Sequence, residues 1–247
     1  MPDAKEQGRR TIGEFRDRLD AVRARIERAA RCAGRDPGAI TLVAASKTVS
    51  VERLVEAMAC ECRIFGENRV QEALAKIETM KEGSGAEWHL IGPLQPNKVK
   101  HAAGRFTLLH AVDRLDVAGR LDRAARERGI TQSVLLEVNV SGETTKHGFS
   151  PDDLVGAVER MGTLPGLRVL GLMTIPPPAD TPEEARPHFR RLRELADQVE
   201  ALGMPGVSMK DLSMGMSADF EVAIEEGATM VRIGTALFGP REGGDRF

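Results

Sequence analysis

From residue 41 onward the chain repeats one pattern, a short apolar run followed by an amphipathic stretch. The runs are Thr41–Ser46, Arg63–Asn68, Trp88–Ile91, Thr107–Val112, Val134–Val140, Leu167–Ile175, Val207–Leu212 and Thr229–Ile233. Each has the length and the aliphatic, β-branched content of a buried strand. Between them apolar residues recur every three or four positions, as at Leu115, Ala118, Leu121 and Ala125, or Phe189, Leu192, Leu195 and Val199. That spacing gives a helix with one buried face. Strict alternation predicts parallel strands joined by crossover helices. Eight such units in 247 residues match the length of about 250 usual for a (β/α)8 barrel. One α/β TIM-barrel domain over residues 1–247 is therefore expected. Ahead of it, Ile12, Phe15, Leu19, Val22 and Ile26 make Thr11–Arg31 an extra N-terminal helix, which should cover the barrel floor or wall. The ends, 1–9 and 241–247, read as flexible.

Charge and composition remove several classes of function. A net charge of −2 gives no bulk attraction to nucleic acid or anionic membrane. The first helix is arginine-rich, but Glu14, Asp17, Asp20 and Glu27 interleave with Arg16, Arg18, Arg23 and Arg28, as on a solvated face. One tryptophan and no tyrosine leave little for base stacking. Cys32, Cys60 and Cys62 form neither a disulfide framework nor a zinc knuckle, and read as buried or incidental thiols in a reducing compartment. No apolar run is long enough to span a bilayer. The expectation is a cytoplasmic protein with no nucleic-acid or membrane partner, and a monomer, since no broad apolar stripe is left over.

In a barrel of this kind chemistry sits at the C-terminal ends of the strands, where Lys47, Asn68, Met173 and Arg232 fall. Lys47 closes the first apolar run. A lysine there is either solvated at the rim or used covalently, because burial disfavours its charged form. The stretch Ser213-Met-Gly215-Met-Ser217-Ala-Asp219 follows the seventh run. Gly215 would allow close backbone approach to a ligand, Ser213 and Ser217 supply hydroxyls, and Ser217 is expected to begin a helix whose free amides favour an anion. Asp219 counts mildly against an anion unless it points outward. Gly234 and Thr235 follow the eighth run, and the loops after strands seven and eight recurrently form a phosphate site. The plain structural reading is a glycine turn and a helix cap. Taken with Lys47, the group describes a site for a phosphorylated aldehyde, with pyridoxal 5′-phosphate (PLP) the leading candidate cofactor: lysine as the Schiff-base amine, the loops as the phosphate cradle. Arg232 could face the pyridine nitrogen, or pair with an acid at the barrel mouth.

Several blocks, in this order, resemble the pyridoxal phosphate homeostasis proteins: Ala45-Ser-Lys-Thr48, Phe65-Gly-Glu-Asn68, Trp88-His-Leu-Ile-Gly-Pro-Leu-Gln-Pro-Asn-Lys98, Gly171-Leu-Met-Thr174, Ser213-Met-Gly-Met-Ser217 and Val231-Arg-Ile-Gly-Thr-Ala-Leu-Phe-Gly239. They cover roughly residues 10–240. The resemblance implies a fold-type-III barrel like the alanine racemase N-terminal domain, with PLP as a Schiff base on Lys47. It implies phosphate held by Ser217, Gly234 and Thr235, Arg232 near the ring nitrogen, and Asn68 and Met173 lining the pocket. It further implies a role in intracellular PLP homeostasis and amino-acid balance, with transient contact to PLP-dependent apoenzymes.

Catalysis is the open alternative. A racemase needs a second acid/base opposite the lysine, which fold-type-III racemases take from a tyrosine in an added β-domain. This chain has no tyrosine, and neither that residue nor that domain is expected. His89 reads as a hydrogen-bonded core residue, Cys62 lies at the wrong end of its strand, and His110 and His147 have no evident partner. A binder without efficient catalysis of its own is the expectation; a small PLP-dependent racemase or decarboxylase is the alternative, and a cofactor-free Schiff-base aldolase a third.

Overall fold

The computed structural model describes residues 4–80, 84–143 and 146–240. Eight parallel strands close into a barrel in sequence order: β1 Thr41–Ala45, β2 Ile64–Glu67, β3 Glu87–Leu90, β4 Leu108–Val112, β5 Gln132–Glu137, β6 Leu167–Met173, β7 Val207–Ser213 and β8 Met230–Ile233. The seam is β1 against β8, with Val43 opposite Arg232. Helices follow each strand: α2 Val51–Ala59, α3 Val70–Met80, α4 Val99–Ala102, α5 Leu115–Glu127, α6 Leu154–Gly162, α7 Arg186–Glu200, α8 Phe220–Glu225 and α9 Thr235–Phe238. The extra helix α1 runs over Ala4–Cys32, longer than its apolar period predicts. It packs on the wall, against α2, α8 and α9, with Phe15 stacked near Phe238. The expected flexible end 241–247, and the first residues of the other, lie outside the described residues.

Two apolar layers hold the barrel together. The larger joins the outer strand faces to the helices through Leu54, Phe65, Leu121, Phe189, Phe220 and their neighbours. The smaller fills the inside of the barrel with Leu108, Ala111, Leu135, Met173 and Met230. Strand alternation divides the residues between them.

Local chemistry sets the boundaries. Ser150 Oγ accepts from the Asp153 amide at 3.1 Å and donates to Oδ2 of Asp153 at 2.6 Å, closing a turn through the serine side chain ahead of α6. Thr181 Oγ1 donates to Glu184 at 2.9 Å, and a short 3-10 turn at Pro182–Ala185 leads into α7. Ser50 stands at the N-cap of α2 in extended conformation but makes no capping bond through its side chain. The helix expected from Ser217 begins only at Phe220, with Asp219 at its N-cap. No described helix is long and apolar enough to cross a membrane.

Candidate functional site

The C-terminal mouth of the barrel holds a cavity of about 580 Å³. Its wall begins at β1. Ala45 and Lys47 line it while Ser46, between them, is buried on the other face. Lys47 sits two residues beyond the end of β1, in a turn rather than in the strand itself. Asn68 enters from the end of β2. Its backbone presses so closely on Gly92 that a Cβ there would lie 2.5 Å from the Asn68 carbonyl. Only glycine allows that approach.

The loops after β7 and β8 bring Ser217, Gly234 and Thr235 into the same cavity. Ser217 Oγ accepts from the Ala236 amide at 3.4 Å, tying the two loops together. Gly234 lies close to the seam, where a Cβ would stand 3.3 Å from the Ala45 carbonyl. Asp219 does not point outward. It is buried, and its Oδ1 accepts from the Met216 amide at 2.6 Å, closing the turn that presents Ser217. Burial pushes its carboxyl up, against the pull of that amide.

Arg232 is the buried cation of the site, 4% exposed. Its guanidinium donates to Ser213 Oγ at 2.6 Å and to the Thr174 carbonyl at 3.0 Å. Burial pulls it down to about 10, with Glu137 and Asp219 acting the other way, so it stays charged at neutral pH. Because Ser213 Oγ accepts from Arg232, its own hydrogen goes to His110 Nδ1, 2.8 Å away. His110 then carries its proton on Nε2 and donates to His89 Nδ1 at 2.9 Å. Burial holds both rings neutral, His89 down to about 4 and His110 lower than usual as well. A directional chain thus runs through the barrel interior from β8 to β3 and fixes the guanidinium.

Lys47, Asn68, Ser217, Arg232, Gly234 and Thr235 therefore share one cavity. Met173, Ser213 and Gly215 do not line it. Met173 is fully buried in the inner apolar layer beside Ala111, which does. Ser213 acts on Arg232 from beneath. Gly215, at φ +92°, makes room for α8 instead of a ligand: a Cβ there would fall 2.6 Å from Ala223. Sequence reading left His110 without a partner and passed over Glu137, which lines the cavity from the end of β5. Burial and the neighbouring Asp113 push the Glu137 carboxyl up. Its place on the same inward register as Leu135 was a usable signal. His89 is the hydrogen-bonded core residue expected.

A second cavity of about 580 Å³ opens at the opposite end, between α1 and the starts of β1 to β3. It is edged by Arg23, Glu27, Glu61, Arg63 and Glu87, with Cys62 beside them. Burial pushes the Cys62 thiol up to about 11, which leaves it inert near neutrality. All three cysteines are free; Cys60 and Cys62 are buried, whereas Cys32 is exposed. Among the described residues no cluster could hold a metal.

Comparison with known proteins agrees with this fold. The family described as alanine racemase, N-terminal domain, matches residues 18–242. A pyridoxal phosphate homeostasis protein of Aquifex aeolicus is 50% identical over 226 residues, covering 92% of this chain and 98% of that one. Its counterpart in Pseudomonas aeruginosa is 47% identical over 231 residues, covering 92% and 96%. The chain belongs to the pyridoxal phosphate homeostasis protein family. Among solved structures, PipY of Synechococcus elongatus PCC7942 with PLP bound matches this member of the family with a TM-score of 0.80 at 35% identity, covering 91% of this chain and 100% of that one. Alanine racemase of Clostridium difficile 630 matches at a TM-score of 0.73 with 16% identity, covering 95% of this chain and 59% of that one. That second likeness is one of fold alone. The family resemblance and the barrel expected from sequence are both met.

Proposed function

We propose that the chain binds PLP in the mouth cavity, through a covalent link to Lys47, and serves intracellular PLP supply without efficient catalysis of its own. One observation carries the reading: a single cavity joins the Lys47 amine to the hydroxyls and amides of Ser217, Gly234 and Thr235, with the Arg232 guanidinium buried beside them. The donor set fits the cofactor. A volume of about 580 Å³ lies within the range of small-ligand pockets. Hydroxyl and amide donors suit a phosphate, and a donor-only guanidinium suits the lone pair of a ring nitrogen. When bound, PLP supplies an aldehyde that condenses reversibly with amines and a ring that withdraws electrons.

The protein's own residues do the rest. Ser217, Gly234 and Thr235 hold the phosphate end and Lys47 the aldehyde end. Arg232, always cationic, keeps a proton off the ring nitrogen and so weakens the ring as an electron sink. Ser213, His110 and the Thr174 carbonyl hold that guanidinium in place. The PLP-bound PipY structure supports PLP as the ligand by likeness.

Glu137 favours the second reading, a small racemase or decarboxylase, because its carboxyl lines the cavity and is pushed toward neutrality. Two experiments test the choice. In crystals of the loaded protein the phosphate should contact Ser217 and Thr235; phosphate density elsewhere would end the reading. Incubation with a panel of L-amino acids should give turnover no faster than free PLP, and a clear excess that vanishes in Glu137→Gln would establish the enzyme.

A further inference from the structure

The turn that carries Lys47 is gripped from the outer face of the barrel, by groups that never enter the cavity. On one side of Lys47, Ser46 is fully buried. Its carbonyl accepts from Lys76 Nζ at 2.9 Å and its Oγ donates to Glu67 Oε1 at 2.6 Å. On the other side, the Thr48 amide donates to Glu72 Oε1 at 2.8 Å. Lys76 joins the two grips, donating to Glu67 Oε1 at 2.8 Å and Glu72 Oε1 at 3.1 Å. An ammonium has three protons, and here each has its own acceptor: the Ser46 carbonyl, Glu67 and Glu72.

The cluster is an expensive way to join α3 to the barrel. A buried ion pair is often no more stable than an apolar pair of similar volume. Here Glu67 Oε2 is also buried with no hydrogen-bond partner, a further penalty. Thr48 adds backbone strain, at φ +65° without being glycine. All of these features converge on the three residues 46–48. The bonds on both sides of Lys47 fix the backbone of the turn that brings it into the cavity it lines with Ser217, Gly234 and Thr235.

We infer that Lys76, Glu67 and Glu72 are positioning residues for Lys47, fixing its amine where an aldehyde held by the phosphate cradle meets it. The inference rests on the proposed attachment at Lys47. In that step Nζ adds to the aldehyde carbon, and the aldehyde oxygen leaves as water with the two amine hydrogens.

The test compares two probes on the full-length protein. Pyridoxine 5′-phosphate has an alcohol in place of the aldehyde, so it occupies the cradle without a covalent link. The ratio of its Kd to that of PLP then measures what the amine adds. Lys76→Met and Glu72→Ala should each lower this ratio at least about fivefold, as expected for a displaced reacting group, with the Kd of pyridoxine 5′-phosphate changing less than about twofold. Glu72→Gln, which keeps an oxygen for the Thr48 amide and for Lys76, should preserve the ratio. Should Lys76→Met fail to fold, Glu72→Ala carries the test alone, since Glu72 is only partly buried. An unchanged ratio in the folded variants overturns the positioning role. A wild-type ratio near one, with no visible absorbance band, refutes the attachment at Lys47 itself, and this inference with it.

Discussion

The two ends of the barrel carry cavities of the same size, about 580 Å³ each, and only one of them is built as a site. At the mouth, polar groups converge from the ends of five strands, β1, β2, β5, β7 and β8, and are fixed from behind. Arg232 is held through Ser213 and Thr174, and the Lys47 turn through Lys76 and Glu72. At the floor the charged residues come from helix α1 and from strand starts, they face solvent, and the one nucleophile, Cys62, is kept protonated by burial. Volume is common to both ends. What separates them is whether reactive groups are oriented by buried partners, which is how a binding site differs from a groove.

That contrast can be broken most directly at Lys47. Lys47→Ala should abolish the visible band of the protein–PLP mixture, and should weaken PLP binding by roughly tenfold or more through loss of the covalent link; absorbance titration measures both. A band that survives would move the chemistry elsewhere. Next in size, the double change Ser217→Ala with Thr235→Ala removes two hydroxyl donors to an anion. At about 1.5 kcal/mol or more for each hydrogen bond to a charged group, the Kd for PLP should rise on the order of a hundredfold. Binding of unphosphorylated pyridoxal should change little.

A third prediction concerns the histidine chain behind Arg232. His89 is neutral when folded, down to about 4, and returns to about 6.5 when unfolded. Between these values the unfolded chain binds a proton that the folded one refuses. The His89 contribution is therefore complete above about pH 6.5 and is lost as pH falls toward 4. Compared with His89→Gln, the wild type should lose up to about 2 kcal/mol of relative stability between pH 6.5 and pH 5, read from urea unfolding. A gap that does not change with pH would mean that the ring is protonated in the fold. The smallest effect belongs to the floor. Cys62→Ala should leave PLP affinity unchanged, and Cys62 should resist alkylation at pH 8 while exposed Cys32 reacts.

The sequence carried the barrel because period and length both survive in one dimension: apolar runs with helical stretches between them leave few alternatives to eight parallel strands. Lys47, Ser217, Gly234 and Thr235 were legible because each follows a strand-like run, and the barrel gathers strand ends. What the sequence could not give was sidedness. Ser213 and Gly215 sit in the same motif as Ser217, and Met173 ends a strand as the cavity residues do, yet each turns away, toward Arg232, α8 and the inner apolar layer. The Ser217 helix failed because Asp219 bonds back to the Met216 amide and holds residues 217–219 in a turn. Lys76, on an ordinary amphipathic helix, carries no local mark of its three acceptors, the Ser46 carbonyl, Glu67 and Glu72.

The central claim is that the amine at the end of β1 is the one that meets the cofactor. Borohydride reduction of the PLP-loaded protein, followed by peptide mass mapping, tests it directly. The account predicts a single pyridoxyl adduct, on Lys47, absent from Lys47→Ala. An adduct on Lys76, Lys98 or Lys146 in its place would contradict it.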